Sequence, residues 1–156
     1  MEKIMGRSGD IKVARLEPET ALWEGLMAYA RGCSWVAGAH LADMMRDAAF
    51  TDWESVFAAL AGRRVVGFCT LMKTDYYPEN RYSPWISTVF VDKGFRGGGI
   101  CGRLVETACE YARKAGFHRA FIPSDIVGLY EKYGFHQIDS LANYDGERDN
   151  IFARDI

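Results

Sequence analysis

The segment GFRGGGICGRL, from Gly94 to Leu104, concentrates glycine immediately before an amphipathic helical pattern. Glycine costs roughly 0.5–1 kcal/mol relative to alanine inside regular structure, so a cluster at the start of a helix indicates that another group approaches the backbone closely. The first turn of a helix also carries unpaired N–H groups and the positive end of the helix dipole. The segment therefore predicts an anion-binding loop between a strand and a helix.

The apolar patterns in the rest of the chain predict an α/β (α+β) fold with the element order β-α-α-β-β-β-α-β-α-β-β. The predicted strands are 11–16, 53–60, 64–73, 85–91, 119–123, 135–141 and 151–156. The predicted helices are 20–31, 36–50, 100–115 and 125–133. The clearest helix begins at Ile100, and Gly116 supplies its left-handed cap.

The composition narrows the class of protein. A chain of 156 residues fits one domain, predicted here as residues 11–156 after a flexible N-terminal lead of residues 1–10. The net charge of −2 argues against nucleic acid as a partner, because phosphate binding normally shows as a large basic excess. No window reaches the roughly 18 apolar residues that a membrane span requires. The four cysteines form no C-x-x-C pair, which predicts reduced thiols, no metal site and a cytoplasmic protein.

Two phosphate-binding templates fit the glycine segment poorly. Gly97 and Gly102 have the spacing of a P-loop, but Arg103 replaces its lysine and Leu104 replaces its hydroxyl residue. The dinucleotide-binding fingerprint G-x-G-x-x-G matches from Gly97 to Gly102. However, five residues separate the predicted strand from the glycines, and the upstream elements do not form the β-α units of a doubly wound sheet. A dinucleotide oxidoreductase is therefore a weak alternative.

A third template, R-x-x-G-x-G/A after a strand, resembles the GNAT superfamily of acyl-coenzyme A N-acyltransferases. The segment VFVDKGFRGGGICGRL is similar to that family's fourth strand and pyrophosphate loop, and LYEKYGF at 129–135 is similar to its second signature. The predicted element order is also the GNAT order. The resemblance implies a GNAT-like fold, with a central mixed and mostly antiparallel sheet of about seven strands flanked by about four helices.

The resemblance also implies a cofactor, acetyl-CoA, with its diphosphate on the glycine loop and its pantetheine arm beside the fourth strand. The predicted cofactor contacts are Val89, Phe90, Val91, Arg96, Gly97, Gly98, Gly99, Ile100, Cys101 and Gly102. Two alternatives stay open for Arg96, which either adds charge at the phosphates or folds back over the loop. Cys101 is either a small packing residue or a thiol activated by the helix N-terminus.

Transfer to an amine requires a proton for the departing sulfur and a base for the attacking nitrogen. The resemblance assigns the acid to Tyr130, while Tyr133 is expected to pack in the core. The base is less clear, because the predicted fourth strand, 85–91, has no carboxylate. Asp75 and Glu79 are candidates that would act through water, and Asp125 fits a helix N-cap.

These observations predict an N-acetyltransferase that moves an acetyl group from acetyl-CoA to a primary amine by direct attack in a ternary complex. The expected partner is a small-molecule or peptide amine, with a homodimer as an open alternative to a monomer. An aromatic wall for the amine is predicted from Tyr76, Tyr77, Tyr82 and Trp85, which alternatively only cover the core. Because the fourth strand lacks a carboxylate, a non-catalytic acyl-CoA-binding module is the alternative function.

Overall fold

The computed structural model describes residues 10–156, so most of the predicted lead at 1–10 lies outside the described residues. The strands are β1 (Ile11–Arg15), β2 (Ser55–Ala61), β3 (Arg64–Met72), β4 (Trp85–Val91), β5 (Arg119–Ser124), β6 (His136–Ala142) and β7 (Arg148–Asp155). The α-helices are α1 (Ala21–Gly32), α2 (Val36–Arg46) and α3 (Ile100–Lys114).

The strands form one seven-stranded sheet in the order β1-β2-β3-β4-β5-β7-β6. Neighbouring strands are antiparallel except β4 and β5, which are parallel. This confirms the predicted mixed, mostly antiparallel sheet. The β2–β3 hairpin closes at Gly62, whose positive φ of 64° favours glycine in a tight turn.

Helices cover both faces of the central strands. Phe57 on β2 belongs to the core beneath α3, whereas its neighbours Val56 and Ala58 belong to the core beneath α1 and α2. Because successive strand residues point to opposite faces, a strand buried on both faces has no polar alternation. This explains why SVFAALA reads as a continuous apolar run.

The α3 helix follows the sequence prediction closely. Its buried positions recur every three or four residues and face the sheet. At its end the Phe117 N–H donates to the Ala112 carbonyl, and Gly116 has a φ of +100°. This is the predicted left-handed glycine cap.

Two predicted helices are shorter than expected. The α2 helix ends at Arg46 rather than Phe50, because Ala48 adopts a positive φ of 50°. The predicted helix at 125–133 is wrong over its first half: Gly128 has a φ of +86°, and only Tyr130–Tyr133 forms a 3-10 helix. The described residues therefore contain three α-helices instead of four.

Asp125 does not cap that helix as predicted. Instead, the Ser124 hydroxyl accepts a hydrogen bond from the Ile126 N–H at 3.0 Å, which forms a local turn after β5. This turn directs the following residues away from β5 and toward the glycine loop, where Tyr130 reaches the site described below.

The sheet opens between β4 and β5. The only residue pair in their parallel register is Trp85 with Phe121, joined by a hydrogen bond from the Phe121 N–H to the Pro84 carbonyl at 3.1 Å. Beyond Trp85 the two strands have no further paired residues, so the β4 edge from Ser87 onward faces an opening. A cavity begins at this opening.

Candidate functional site

A cavity of about 600 Å³ lies between the end of β4, the glycine loop and the 3-10 helix. Its lining is Val89, Phe90, Val91, Phe95, Arg96, Gly97, Gly99, Ile100, Cys101, Ile126, Leu129, Tyr130, Lys132 and Tyr133. We call it the loop cavity. The fold thus brings together the predicted strand positions, most of the predicted loop and the predicted acid.

The glycine loop leaves open space at the start of α3. Gly97 and Gly99 have φ values of +87° and +83°, and a Cβ built on either residue would have no atom within 4 Å outside its chain neighbours. Gly99 is the N-cap of α3 and makes no side-chain capping bond. Backbone N–H groups of the first turn therefore lack a side-chain cap, as a site for an anion requires.

Gly98 and Gly102, two of the predicted cofactor contacts, are not among the residues that line the loop cavity. A Cβ on Gly102 would lie 2.5 Å from Cε1 of Tyr133, so glycine is needed there because the tyrosine ring packs on the helix. The backbone of Gly102 is also hydrogen-bonded to Tyr133. Tyr133 accordingly packs on α3 and is half-buried rather than fully inside the core.

Arg96 folds back over the end of β4. Its Nε donates to the Val91 carbonyl at 2.8 Å, and its guanidinium carbon lies 5.5 Å from the centre of the Phe90 ring. These contacts agree with the second alternative for Arg96. The Val91 carbonyl thus already accepts a hydrogen bond from the Arg96 side chain. The Nη groups of Arg96 donate no hydrogen bond to the described residues.

Tyr130 is almost completely buried, with 6% of its surface exposed, and its hydroxyl lies near the Cys101 thiol. Burial raises the pKa of Tyr130, and the neighbouring Cys101 and Cys69 thiols raise it further. Burial also raises the pKa of Cys101. Both groups therefore keep their protons at neutral pH, and Cys101 is not activated by the helix N-terminus.

A second cavity, of about 430 Å³, shares Val89, Ile126 and Tyr130 with the first. Its remaining lining is Trp35, Ala37, Asp75, Tyr76, Tyr77, Ile86, Ser87, Thr88, Ile122, Pro123, Ser124, Asp125 and Asp149. We call it the acidic cavity. The two cavities are therefore adjacent and meet at Tyr130.

Asp75 is fixed in the acidic cavity by two hydrogen bonds. The Ser87 hydroxyl donates to its Oδ2 at 2.5 Å, and the Tyr76 N–H donates to its Oδ1 at 2.7 Å. Burial raises the pKa of Asp75 in spite of these bonds, with a smaller contribution from the nearby Asp149 carboxylate. A carboxylate with a raised pKa is a better proton acceptor than an ordinary one.

Glu79, the other candidate base, lies outside both cavities. Its carboxylate pairs with Arg81 at 3.1 Å, and its side chain is exposed to solvent. Asp75 and Glu79 belong to the same loop in the sequence, but of the two only Asp75 lines the acidic cavity together with Tyr130.

Two of the four residues of the predicted aromatic wall line the acidic cavity. Tyr76 and Tyr77 line the acidic cavity, whereas the rings of Tyr82 and Phe121 stack 4.8 Å apart and Trp85 is fully buried. Trp35, which the sequence analysis missed, also lines the cavity. Its position in the short connection between two predicted helices was the available signal, because such connections lie at the surface.

The family model described as Acetyltransferase (GNAT) family matches residues 20–135, well over half of the chain. The chain belongs to the GNAT acetyltransferase family.

Relatives agree with this assignment. An acetyltransferase from Agrobacterium fabrum is 40% identical over 60 residues, which span 36% of this chain and 44% of that protein. The match therefore spans less than half the length of this curated relative.

Solved structures share the fold. A GNAT family acetyltransferase from Elizabethkingia anophelis with acetyl-CoA bound has a TM-score of 0.66 at 16% identity, over 94% of this chain and 99% of that one. An aminoglycoside 6'-acetyltransferase type Ii has a TM-score of 0.71 at 18% identity, over 92% and 96% of the two chains. A putative streptothricin acetyltransferase from Bacillus anthracis, in complex with acetyl coenzyme A, has a TM-score of 0.56 at 20% identity, over 68% and 64%.

In this GNAT family member, β4 has the sequence WISTVFV and carries no carboxylate. The acids of the acidic cavity come instead from the loop before β4, from the turn after β5 and from the start of β7. Asp149, on β7, is the acid that the sequence analysis overlooked, because nothing in the local pattern DGERDN distinguishes it from a solvated turn residue.

Within the part of the chain that the structure describes, no three His, Cys, Asp or Glu side chains are grouped as ligands of a metal ion. Among residues 10–156, no helix combines the length and the apolar composition that crossing a membrane requires.

Proposed function

We propose that this GNAT family member is an N-acetyltransferase that binds acetyl-CoA in the loop cavity and an amine in the acidic cavity. The observation that carries the proposal is the junction of the two cavities at Tyr130, where they also share Val89 and Ile126. A group transferred between two bound molecules has to pass such a junction. Membership of an acetyltransferase family supports the choice of the acetyl group.

The residues of the loop cavity fit acetyl-CoA. Gly97 and Gly99 leave empty space in front of the first turn of α3, which suits a diphosphate. The open edge of β4 suits the amide groups of the pantetheine arm, since an extended chain can pair with an unpaired strand. Acetyl-CoA supplies the thioester whose acetyl group is transferred.

Tyr130 holds the proton that the departing sulfur requires. An ordinary thiol has a pKa of about 8.5, so a thiolate leaving at neutral pH is stabilised by a hydrogen-bond donor. Because its pKa is raised, Tyr130 remains protonated and available as that donor. This matches the role that the family resemblance assigns to it.

Asp75 is the base in this proposal. Its Oδ2 accepts the proton of the Ser87 hydroxyl, and Ser87 lines the same cavity. As the amine attacks, its proton passes to Ser87 Oγ while the Ser87 proton moves to Asp75. Asp75 thereby takes over the role for which β4 has no carboxylate.

Direct transfer in a ternary complex is preferred to a covalent acyl-enzyme. Cys101 is the nucleophile that lines the loop cavity, but burial raises its pKa and the thiol stays protonated. We expect initial rates measured at several concentrations of both substrates to give intersecting double-reciprocal lines. Parallel lines, the sign of a covalent intermediate, would contradict direct transfer.

The proposal is tested in two steps. A ligand at a hundred times its Kd stabilises a protein by about 2.7 kcal/mol, so acetyl-CoA should raise the melting temperature measurably while NADH should not. Release of free coenzyme A is then followed with a thiol reagent across a panel of polyamines, aminoglycosides, amino acids and peptides with free N-termini. Turnover with any amine supports an N-acetyltransferase.

A non-catalytic acyl-CoA-binding module remains the second candidate, favoured by the absence of a carboxylate on β4. It predicts a thermal shift with acetyl-CoA and no coenzyme A release with any member of the panel. No thermal shift at all would contradict both candidates.

A further inference from the structure

The charged residues that line the acidic cavity are all acidic. Three carboxylates line it, from Asp75, Asp125 and Asp149, and its lining contains no lysine, arginine or histidine among the described residues. In the loop cavity, by contrast, Arg96 and Lys132 are part of the lining. The two cavities that meet at Tyr130 therefore suit ligands of opposite charge.

Asp149 is a second carboxylate beside the proposed base. The Tyr77 hydroxyl donates to its Oδ2 at 2.8 Å and the Asn143 Nδ2 donates to the same oxygen at 3.2 Å. Its Oδ1 receives no hydrogen bond from the described residues. The Asp149 and Asp75 carboxylates are close enough that Asp149 helps to raise the pKa of Asp75. Asp149 has no part in the transfer described above, so its position calls for another role.

Aromatic rings surround these acids. Trp35 is 39% exposed and Tyr76 is 51% exposed, and both line the cavity together with Tyr77. The faces of aromatic rings attract cations. The same cavity thus offers charge and rings to a positively charged organic ligand.

We propose that the acceptor is a diamine or longer polyamine, with one amine at Tyr130 and Asp75 and a second, still protonated amine beside Asp149. This inference rests on the proposed function, in which the acidic cavity holds the acceptor. The reacting amine has to lose its charge before attack, so its own ammonium does not explain a second carboxylate. An acceptor that carries a carboxylate, such as an amino acid, would meet only like charge there.

Three ligands of equal chain length test the inference. 1,4-Diaminobutane, butylamine and 4-aminobutanoate each carry a reacting amine and differ in the group at the other end: ammonium, methyl or carboxylate. We expect calorimetric titration of the 156-residue protein, saturated with coenzyme A, to give a Kd for the diamine at least tenfold below that of butylamine. 4-Aminobutanoate should bind more weakly than butylamine, and kcat/KM should follow the same order.

Substitution identifies the carboxylate responsible. Asp149→Asn should reduce at least tenfold the ratio of the butylamine Kd to the diamine Kd. Asp155→Asn is the matched control, because Asp155 lies at the other end of β7, is 85% exposed and pairs with Arg119. If Asp149→Asn does not fold, the ligand series on the unmodified protein still decides the matter. On the unmodified protein, 0.5 M NaCl should lower the affinity for the diamine more than the affinity for butylamine, because the diamine carries two positive charges.

The outcomes separate the inference from the proposed function. Equal affinity for the diamine and butylamine, or a preference for 4-aminobutanoate, overturns the inference even if all three are acetylated. A diamine preference in binding that Asp149→Asn removes supports the inference, even if no amine releases coenzyme A and the proposed function fails.

Discussion

The Ser87 hydroxyl donates a hydrogen bond to Asp75 Oδ2 at 2.5 Å and so joins β4 to the loop that precedes it. The contact brings a carboxylate to a strand that has none of its own. A second bond, from the Tyr76 N–H, holds the other oxygen of Asp75. The proposed base is thus positioned by its neighbours, as a catalytic group needs to be.

Asp75→Asn should lower kcat/KM by about 10²–10⁴-fold, because general bases contribute an acceleration of that order. Burial raises the pKa of Asp75, and only the ionised carboxylate accepts a proton. The rate of the unmodified protein should therefore rise with pH through this raised pKa, and Asp75→Asn should abolish that rise. Glu79→Gln, an exposed acid in the same loop, is the control and should keep the full profile.

The same shift predicts the opposite pH dependence for stability. Because the folded protein binds the Asp75 proton more tightly than the unfolded chain, Asp75 contributes stability at low pH that is lost as the pH rises through its raised pKa. As the pH rises through the raised pKa of Asp75, the free energy of unfolding of the unmodified protein should therefore fall relative to that of Asp75→Asn. Urea denaturation at a series of pH values measures the difference, and a constant difference would show that the pKa is not raised.

Tyr130→Phe removes the proposed proton donor and keeps the ring in its buried position. We expect kcat to fall by about 10²–10⁴-fold while the Kd for acetyl-CoA changes less than threefold, since the hydroxyl acts in the transfer step. Calorimetry and coenzyme A release measure the two quantities. Tyr111→Phe, on α3 outside both cavities, is the control. Unchanged turnover in Tyr130→Phe would remove Tyr130 from the mechanism.

Gly99→Ala tests the anion site at the start of α3. An alanine at a φ of +83° costs about 1 kcal/mol of stability, and its methyl group would occupy the open space in front of the loop. We expect the Kd for acetyl-CoA to rise at least tenfold. Gly146→Ala, in the β6–β7 turn, has a matching φ of +85° and open surroundings. Gly146→Ala should show a similar loss of stability with no change in the Kd for acetyl-CoA. If the two variants changed this Kd equally, the diphosphate would not bind at Gly99.

Cys101 reports occupancy of the loop cavity. It is half-buried and lines that cavity, whereas Cys33, also half-buried, lies at the end of α1 outside both cavities. Because burial raises the pKa of Cys101, its alkylation by iodoacetamide should be slow and should accelerate at higher pH. Saturating acetyl-CoA should slow the alkylation of Cys101 at least tenfold and leave Cys33 unaffected, as measured by peptide mass spectrometry. Equal protection of both would indicate a global effect.

Much of the fold follows from local sequence signals. The position of the glycine segment between a strand and a helix, the apolar stripe of α3 and its cap at Gly116 all depend on residues close together in the chain, and the structure confirms each of them. The structure of the segment after β5 was not predicted correctly, because the positive φ of Gly128 interrupts a sequence pattern that otherwise fits a helix. Glycine occurs both within helices and at their ends, so its conformation there was not decided by the sequence.

The sequence by itself determined the family, the position of the glycine loop before α3 and the candidate acid, since these depend on spacings within short segments. Only the tertiary structure separated Asp75 from Glu79, because the two acids share one loop and differ in whether the chain turns them toward Ser87 or toward Arg81. It also brought Asp149 beside Asp75 from the far end of the chain. The acidic cavity forms where the sheet opens between β4 and β5, and that opening depends on contacts between segments that are distant in sequence.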